Sequence, residues 1–285
     1  MTETSLSKQV DKPIAIQGYE GSFHQVAARQ FFGKGVAVEC CATFRELIKK
    51  ANDKKLTDGA VMAIENSIAG SILPNYNLLQ KADLKIVGEV YLDIKQNLLA
   101  NPGVKLEDIR EVHSHPMAIL QCIDYLEKYN WKLVETEDTA LSAKHVHQHR
   151  SKHIAAIASR LSADLFDLNV LAPNIHTAKN NYTRFLVLQR NALDCIPSDA
   201  NKASISFSTN HTQGSLARVL TKIADAGINL SKLQSFPKPG TDWKYYFHAD
   251  LEFKTVEVYK NLMDNILSVV DELKIYGVYA SGKLK

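Results

Sequence analysis

The feature that most constrains the fold is a repeated alternation of short apolar strand patterns with amphipathic helix patterns over about the first 190 residues. Residues 13–18 form an apolar run that ends in glycine, which is typical of a buried strand. Residues 23–32 follow with apolar side chains three and four positions apart, which predicts a helix that ends at Gly33. The same change of period recurs as far as a strand at 183–190. We therefore predict an α/β architecture with mostly parallel sheets and right-handed crossovers.

A second region follows a polar, turn-rich linker at 191–202. Four strand patterns and two helical faces then occur in the order βαββαβ, which predicts a ferredoxin-like domain. Two domains are also the natural number for 285 residues, because single domains usually hold ~100–200 residues.

Charge and cysteine content exclude several classes of function. The formal charge is +3 without a basic stripe, so we expect no nucleic-acid partner. The chain has no apolar run of ~18 residues and no secretory signal at its N-terminus, so we expect no membrane association and a cytoplasmic protein with reduced thiols. The four cysteines and the histidines lack zinc-site spacing, and no metal is expected.

Two candidate sites lie at the ends of predicted strands, where α/β proteins bind ligands. Gly18–Ser22 is a glycine-rich turn that presents backbone N–H groups and a hydroxyl to an anion, or in which Ser22 only caps a helix. Glu65-Asn66-Ser67 follows the strand pattern 59–65 and is either a binding segment or ordinary turn chemistry.

Two further candidates lie later in the chain. His113-Ser114-His115 precedes a predicted helix at 116–129, and capping by Ser114 or His115 is favoured over a nucleophile or metal site. In the segment 181–185, alternation places Thr183 and Phe185 on one face of a strand and Arg184 on the other, where it either binds a ligand or faces solvent.

Taken in order, six segments together resemble the prephenate dehydratase family: GYEGSFHQVAA, AIENSIAGS, HSHPMAILQC, EDTALSAK, AAIAS and NNYTRFLVL. The second region resembles an ACT domain, the usual C-terminal regulator of that family. The resemblance implies a two-lobed, periplasmic-binding-protein-like (type II) catalytic region at 13–195 and a βαββαβ ACT domain at 202–285. Lobe one is expected at about 13–88 and 171–190, and lobe two at about 89–170, with the active site between them.

The resemblance also implies an activity and a set of site residues. Members convert prephenate to phenylpyruvate without a cofactor, because loss of CO2 and hydroxide makes the ring aromatic. The essential threonine of the family maps onto Thr183. The positions associated with the substrate cleft map onto Ser22, Asn66, Ser67, Arg184 and Phe185. Glu65 is either a proton donor whose pKa burial has raised or a structural residue, and the structural role is favoured because a carboxylate would repel a dianionic substrate.

The implied effector is phenylalanine, bound in the ACT domain by segments that match Gly214-Ser215-Leu216, Asn229-Leu230 and Gln234-Ser235. This chain departs from the family pattern at several positions. Gln234 and Phe236 replace a glutamate and an arginine, which favours a retained pocket with altered coupling. Tyr19 and Ala63 stand where the family has prolines, and His24 where it has a small polar residue. We expect these last three changes to affect loop stiffness more than chemistry.

Three alternatives stay open on the sequence. The chain could be an arogenate dehydratase, with the same chemistry on the aminated substrate, or a non-catalytic small-molecule sensor, against which Thr183 next to Arg184 argues. A hydrolase built on Ser114 and His115 is the weakest, because no carboxylate partner is evident. A homodimer or homotetramer is expected because ACT domains commonly pair. No chorismate mutase activity is expected, since the resemblance begins near residue 13.

Overall fold

The computed structural model describes residues 10–190, 196–238, 240–241 and 244–282. Its strands are β1 (Ile14–Gln17), β2 (Val38–Cys41), β3 (Gly59–Asn66), β4 (Gly70–Ser71), β5 (Lys85–Asp93), β6 (Asn97–Ala100), β7 (Glu111–Ser114), β8 (Lys132–Glu135), β9 (Ile154–Ala158), β10 (Asn169–Ala172), β11 (Tyr182–Gln189), β12 (Lys202–Ser208), β13 (Asn229–Pro237), β14 (Tyr245–Glu252) and β15 (Glu272–Tyr279). Its α-helices are α1 (Phe23–Phe32), α2 (Phe44–Asn52), α3 (Leu73–Lys81), α4 (Pro116–Gln121), α5 (Ile123–Leu126), α6 (Thr139–His149), α7 (Arg160–Leu165), α8 (Ser215–Asp225) and α9 (Val256–Ile266).

The first sheet has the strand order β2-β1-β3-β11-β5, with β4 added to β3. Strands β1, β2 and β3 run parallel, as the strand–helix alternation predicts. Helices α1 and α2 are capped by Ser22 and Thr43, whose hydroxyls accept a backbone N–H from the first turn of each helix. Because β3 and β11 are neighbours, residues from positions 59–66 and 182–189 share one sheet.

The second sheet has the order β10-β6-β9-β7-β8. The expectation of mostly parallel sheets is wrong here, because β6 runs antiparallel to both β9 and β10, whereas β7 runs parallel to β8 and β9. Strand β6 enters this sheet directly after β5 and not after a crossover helix, so nothing returns the chain to the parallel direction.

The predicted helix at 116–129 is divided into α4 and α5 at Cys122. Cys122 has φ −111° and ψ 12°, outside helical geometry, and its side chain is fully buried. The apolar spacing continues through the break, so the sequence pattern does not reveal it. His115 is the N-cap, since its Nδ1 accepts the N–H of Met117 at 3.2 Å, which supports the capping interpretation of this segment.

The third sheet, β13-β14-β12-β15, is antiparallel and carries α8 and α9, so the predicted βαββαβ order is observed. Its core packs Val219 and Ile223 of α8, and Leu262 and Ile266 of α9, against the strands. Within the described ranges, no helix is long and apolar enough to cross a lipid bilayer.

The chain forms two compact units. The larger contains Val10–Ala82 and Val90–Leu186, and the smaller contains Asp83–Glu89 together with Val187–Lys285. The lobe and domain boundaries expected from the sequence remain predictions.

Candidate active site

In the larger unit, the ends of β3 and β11 bring two of the predicted segments together. Asn66, the last residue of β3, donates from Nδ2 to Thr183 Oγ1 at 2.9 Å and to Asn181 Oδ1 at 2.7 Å. Its Oδ1 accepts the N–H groups of Ile68 and Ala69, both at 2.9 Å. Asn66 therefore fixes the turn that follows its own strand and the hydroxyl of Thr183 on the neighbouring strand.

Ser67 holds the start of β11 with its backbone and its hydroxyl. Its N–H donates to the carbonyl of Tyr182 at 2.8 Å, and its Oγ accepts the N–H of Tyr182 at 2.9 Å. The same hydroxyl donates to the carbonyl of Asn180 at 3.1 Å. These contacts position the strand that carries Thr183.

The hydroxyl of Thr183 is placed to donate a hydrogen bond. Its oxygen accepts a hydrogen bond from Asn66, which leaves its own O–H proton for another acceptor. An accepted bond at a hydroxyl oxygen polarises the O–H group and strengthens the bond that it donates. The arrangement can therefore present a polarised hydroxyl to an oxygen atom of a bound molecule.

Glu65 and Arg184 meet on the other face of the same two strands. The Arg184 Nη1 atom lies 3.4 Å from Glu65 Oε1. The Arg184 side chain is 2% exposed and the Glu65 side chain is 25% exposed. The alternative of a solvent-facing Arg184 is therefore wrong. Because a cation lies beside it, Glu65 adds little negative potential to its surroundings, which favours the structural role considered for it.

The Gly18–Ser22 turn follows β1 and contacts residues at the starts of α6 and α7. Gly18 and Gly21 have φ values of +91° and +90°, which favour glycine. A side chain at Gly21 would clash with Ser162, and the hydroxyls of Ser159 and Ser162 both donate to the carbonyl of Gly21. Ser22 is buried, and its Oγ accepts the N–H of Gln25 at 3.4 Å as the cap of α1.

Asp138 is a residue of this region that the sequence reasoning gave no role. Its Oδ1 accepts the N–H groups of Ala140 and Leu141 and so caps α6. Its Oδ2 lies so close to Gly18 that a β-carbon there would be only 2.8 Å away. Burial raises the pKa of Asp138, and the two N–H donors oppose that rise. The signal available in the sequence was an Asp-Thr pair directly before a helical pattern.

His24 and Phe185 form a buried contact behind the site. Their rings meet edge to face, with centroids 5.0 Å apart. His24 Nε2 accepts the N–H of Ala63 at 3.3 Å, so two of the five positions that depart from the family pattern contact each other. Burial lowers the pKa of His24 to about 3, and the ring is therefore neutral at ordinary pH. This contact joins residues on α1, β3 and β11.

Asn181 lies in the candidate segment 181–185, but the sequence reasoning gave it no role of its own. It is fully buried, and its Oδ1 accepts from Asn66. Its Nδ2 meets no acceptor within the described residues. An asparagine two positions before Thr183, on the same face of an extended segment, was the signal that could have identified it.

The predicted effector residues lie in the smaller unit. Gly214, with φ +77°, precedes α8, and the hydroxyl of Ser215 lies 3.2 Å from Thr209 Oγ1. Arg218 lies beside this helix start and donates to the carbonyl of Gln213. Leu216 packs against the core of the unit.

The remaining effector residues lie on β13. Asn229 Nδ2 donates to Glu252 at 3.2 Å, and Leu230 packs against the core. Gln234 Nε2 donates to the carbonyl of Ser235 at 3.3 Å. Phe236 is buried and stacks on Tyr246, with ring centroids 5.2 Å apart. The position that carries an arginine in the family is therefore part of an aromatic core contact here.

Comparison with known proteins gives this site a family. The family model for prephenate dehydratase matches residues 14–193. The bifunctional chorismate mutase/prephenate dehydratase of Enterobacter agglomerans is 33% identical over 273 residues, which are 94% of this chain and 70% of that protein. Arogenate dehydratase 2 of Petunia hybrida is 35% identical over 286 residues, which are 94% of this chain and 71% of that protein.

Two solved structures are similar over nearly the whole chain. GqqA, described as one of a novel type of quorum quenching acylases, has a TM-score of 0.85 at 31% identity, covering 95% of this chain and 98% of that one. Prephenate dehydratase from Arthrobacter aurescens, solved with L-Phe, has a TM-score of 0.83 at 24% identity, covering 95% of this chain and 90% of that one.

The likeness to a solved prephenate dehydratase confirms the predicted fold class of a two-lobed α/β region with a C-terminal domain. The family match and the extent of the sequence similarity confirm the resemblance drawn from the six motif segments. The chain belongs to the prephenate dehydratase family of carbon–oxygen lyases.

Proposed function

We propose that this chain catalyses the decarboxylating dehydration of prephenate to phenylpyruvate, with Thr183 as the hydrogen-bond donor to the leaving hydroxyl. The observation that carries the proposal is the bond from Asn66 to Thr183 Oγ1, which leaves the threonine proton free to point at a substrate oxygen. Threonine is a weak acid, so its role is to stabilise the departing oxygen rather than to supply the proton outright.

The reaction requires three tasks of the protein. It must bind two carboxylates, stabilise the departing hydroxide, and take a carboxylate out of water so that CO2 can leave. The C–O and C–C bonds break together with rearomatisation of the ring, and the released hydroxide becomes water on protonation. The N-terminus of α1 offers a positive dipole end for a carboxylate near the Gly18–Ser22 turn.

Arg184 is proposed to act on the substrate through charge. Its guanidinium lies beside Glu65, and its positive charge favours a substrate carboxylate nearby. The Glu65 carboxylate is in turn neutralised by this cation, which removes the repulsion that a dianion would otherwise meet. Ser22, Asn66, Ser67 and Phe185 are proposed to shape the same cleft.

The substrate is tested by parallel rate measurements on prephenate and arogenate. We expect kcat/KM to be larger for prephenate, with phenylpyruvate as the product. A larger value for arogenate would assign the chain to the aminated substrate, and no turnover of either would favour the sensor alternative. The Petunia relative makes arogenate the necessary comparison.

Amide hydrolysis is a useful control because GqqA is described as an acylase. The hydrolase alternative built on Ser114 and His115 receives no support from their contacts. Ser114 is fully buried and donates to the carbonyl of Ile157 at 2.7 Å, and His115 Nδ1 caps α4. We expect no release of fatty acid from N-acylated amides.

We also propose that phenylalanine binds the smaller unit and inhibits the enzyme. Two features support this: the start of α8, whose N–H groups favour a carboxylate, and Arg218, a cation beside it. The buried Phe236 removes a charge from this region and favours weaker coupling than the ~5–150-fold typical of allosteric effectors. Calorimetric titration and inhibition assays test the two parts separately. Binding without inhibition would retain the site and reject the regulation.

A homodimer or homotetramer is proposed as the assembly of this chain, and analytical ultracentrifugation tests it.

A further inference from the structure

Strand β1 leaves the first sheet before β3 ends, and it pairs only with the beginning of β3. The register of β1 on β3 runs from Ile14 with Gly59 to Ile16 with Val61. At Gly18 the chain turns away, and its N–H bonds to Cys41 on β2 instead. Ala63 lies two residues beyond the last pair.

Two side chains form hydrogen bonds with the backbone of Ala63. His24, from the first turn of α1, accepts the Ala63 N–H at Nε2, 3.3 Å away. Asn75, from α3, donates its Nδ2 to the Ala63 carbonyl at 2.7 Å. Both side chains are buried, with exposures of 9% and 0%. A buried N–H or C=O group without a hydrogen bond would destabilise the strand, so these two contacts hold the end of β3 in place.

The two hydrogen bonds to Ala63 lie close in the chain to the residues of the candidate active site. Ala63 is three residues before Asn66, whose amide holds the Thr183 hydroxyl. The ring of His24 also packs edge to face on Phe185, two residues after Thr183. One imidazole therefore contacts both strands whose relative position sets the distance from Asn66 to Thr183.

We infer that His24 is a positioning residue for the dehydration: as a neutral imidazole it fixes the ends of β3 and β11 so that Asn66 orients the Thr183 hydroxyl. The inference rests on the proposed function of Thr183. His24 acts through Ala63 and Phe185 and does not touch the substrate. Because acceptance at Nε2 requires an unprotonated nitrogen, the contact exists only for the neutral ring.

The test is a double-mutant cycle at positions 24 and 63. It distinguishes the packing of the His24 ring from the hydrogen bond that its Nε2 accepts. His24→Phe keeps an aromatic ring against Phe185 and removes the acceptor. Ala63→Pro removes the N–H that needs the acceptor. Thr57→Val is the matched control: Thr57 is buried, its hydroxyl bonds to the Lys50 carbonyl at 2.9 Å, and it lies before the opposite end of β3.

We expect His24→Phe to lower kcat for prephenate about 10-fold while KM changes less than about 2-fold, because a donor displaced by a fraction of an ångström serves the transition state poorly. Amide exchange at Ala63 should become at least about 10-fold faster. The double variant His24→Phe/Ala63→Pro should recover kcat to within about 3-fold of wild type, since donor and acceptor are both gone. Thr57→Val should lose stability without a change in kcat.

Two results would overturn the inference: a kcat for His24→Phe no lower than that of Thr57→Val, or a double variant no more active than His24→Phe. Unchanged amide exchange in His24→Phe would overturn the contact itself. If wild-type protein does not convert prephenate, the proposed function fails instead, and exchange at Ala63 still decides whether His24 holds β3.

Discussion

The two faces of the β3–β11 strand pair are held together by different kinds of bonds. On one face Asn66 and Thr183 meet through a neutral hydrogen bond of 2.9 Å, and on the other Glu65 and Arg184 meet through an ion pair of 3.4 Å. Adjacent residues in each strand supply the two faces, because side chains alternate along a strand. The charged contact involves the buried guanidinium of Arg184, whereas the neutral contact involves the Thr183 hydroxyl, which can donate a hydrogen bond.

This difference indicates a division of labour. Neutral bonds can position a reacting hydroxyl near a dianion without adding local negative charge. A buried ion pair neutralises a carboxylate that would otherwise repel the substrate, and breaking it leaves an uncompensated charge. The four predictions that follow test this division, from the largest expected effect to the smallest.

Replacing Thr183 by alanine tests the neutral face directly. We expect the fold to be retained and kcat to fall by about 10²–10⁴, the usual effect of removing a donor to a developing charge. Steady-state rates and circular dichroism on the same preparation measure both. Retention of more than about a tenth of the wild-type kcat would show that the leaving oxygen has another donor.

Lowering the pH tests whether His24, which contacts both β3 and β11, is buried as a neutral ring. The folded-state pKa of His24 is about 3 against an ordinary value of 6.5, and the cause is burial. The unfolded chain therefore binds a proton that the folded chain does not, and stability falls as pH drops from 6.5 towards 3. At about pH 5 this one group should cost ~2 kcal/mol of unfolding free energy.

The measurement is urea unfolding from about pH 7 to about pH 5, comparing wild type with His24→Phe, which cannot titrate at this position. Subtracting the two curves removes the contribution of the other titrating groups. Parallel curves would mean that His24 is not buried as a neutral ring in solution.

Arg184→Lys tests the charged face. An ammonium cannot bridge Glu65 and a substrate carboxylate as a planar guanidinium can, so we expect KM for prephenate to rise about 10-fold. Glu65→Gln is the matched control, because it removes the negative charge and keeps a hydrogen-bond acceptor. If both variants lose stability and neither changes KM, the pair is only structural.

Ser67→Ala should have the smallest effect. It removes the hydroxyl that bonds to Tyr182 and Asn180 but leaves the backbone bond from Ser67 to Tyr182. We expect a loss of about 1 kcal/mol in unfolding free energy and at most about a 3-fold fall in kcat. A fall of 100-fold or more would place the Ser67 hydroxyl on the substrate rather than on the strand.

The sequence by itself determined the local structure and the family. The spacing of apolar residues predicted α1 to the residue, and β1 and β11 to within one residue at each end, because that spacing records which side of each element is buried. The order of the motif segments identified the prephenate dehydratase family and directed attention to Thr183. Alternation along β11 also predicted that Thr183 and Arg184 point to opposite faces.

Only the tertiary structure decided which distant residues meet. Asn66 and Thr183 are 117 positions apart, and His24 and Ala63 are 39 apart, so no local pattern encodes either contact. The neutral state of His24 follows from burial between α1, β3 and β11, and the break at Cys122 follows from backbone geometry beneath continuous apolar spacing. Periodicity states that a residue is buried, but its partners depend on how whole elements pack against one another.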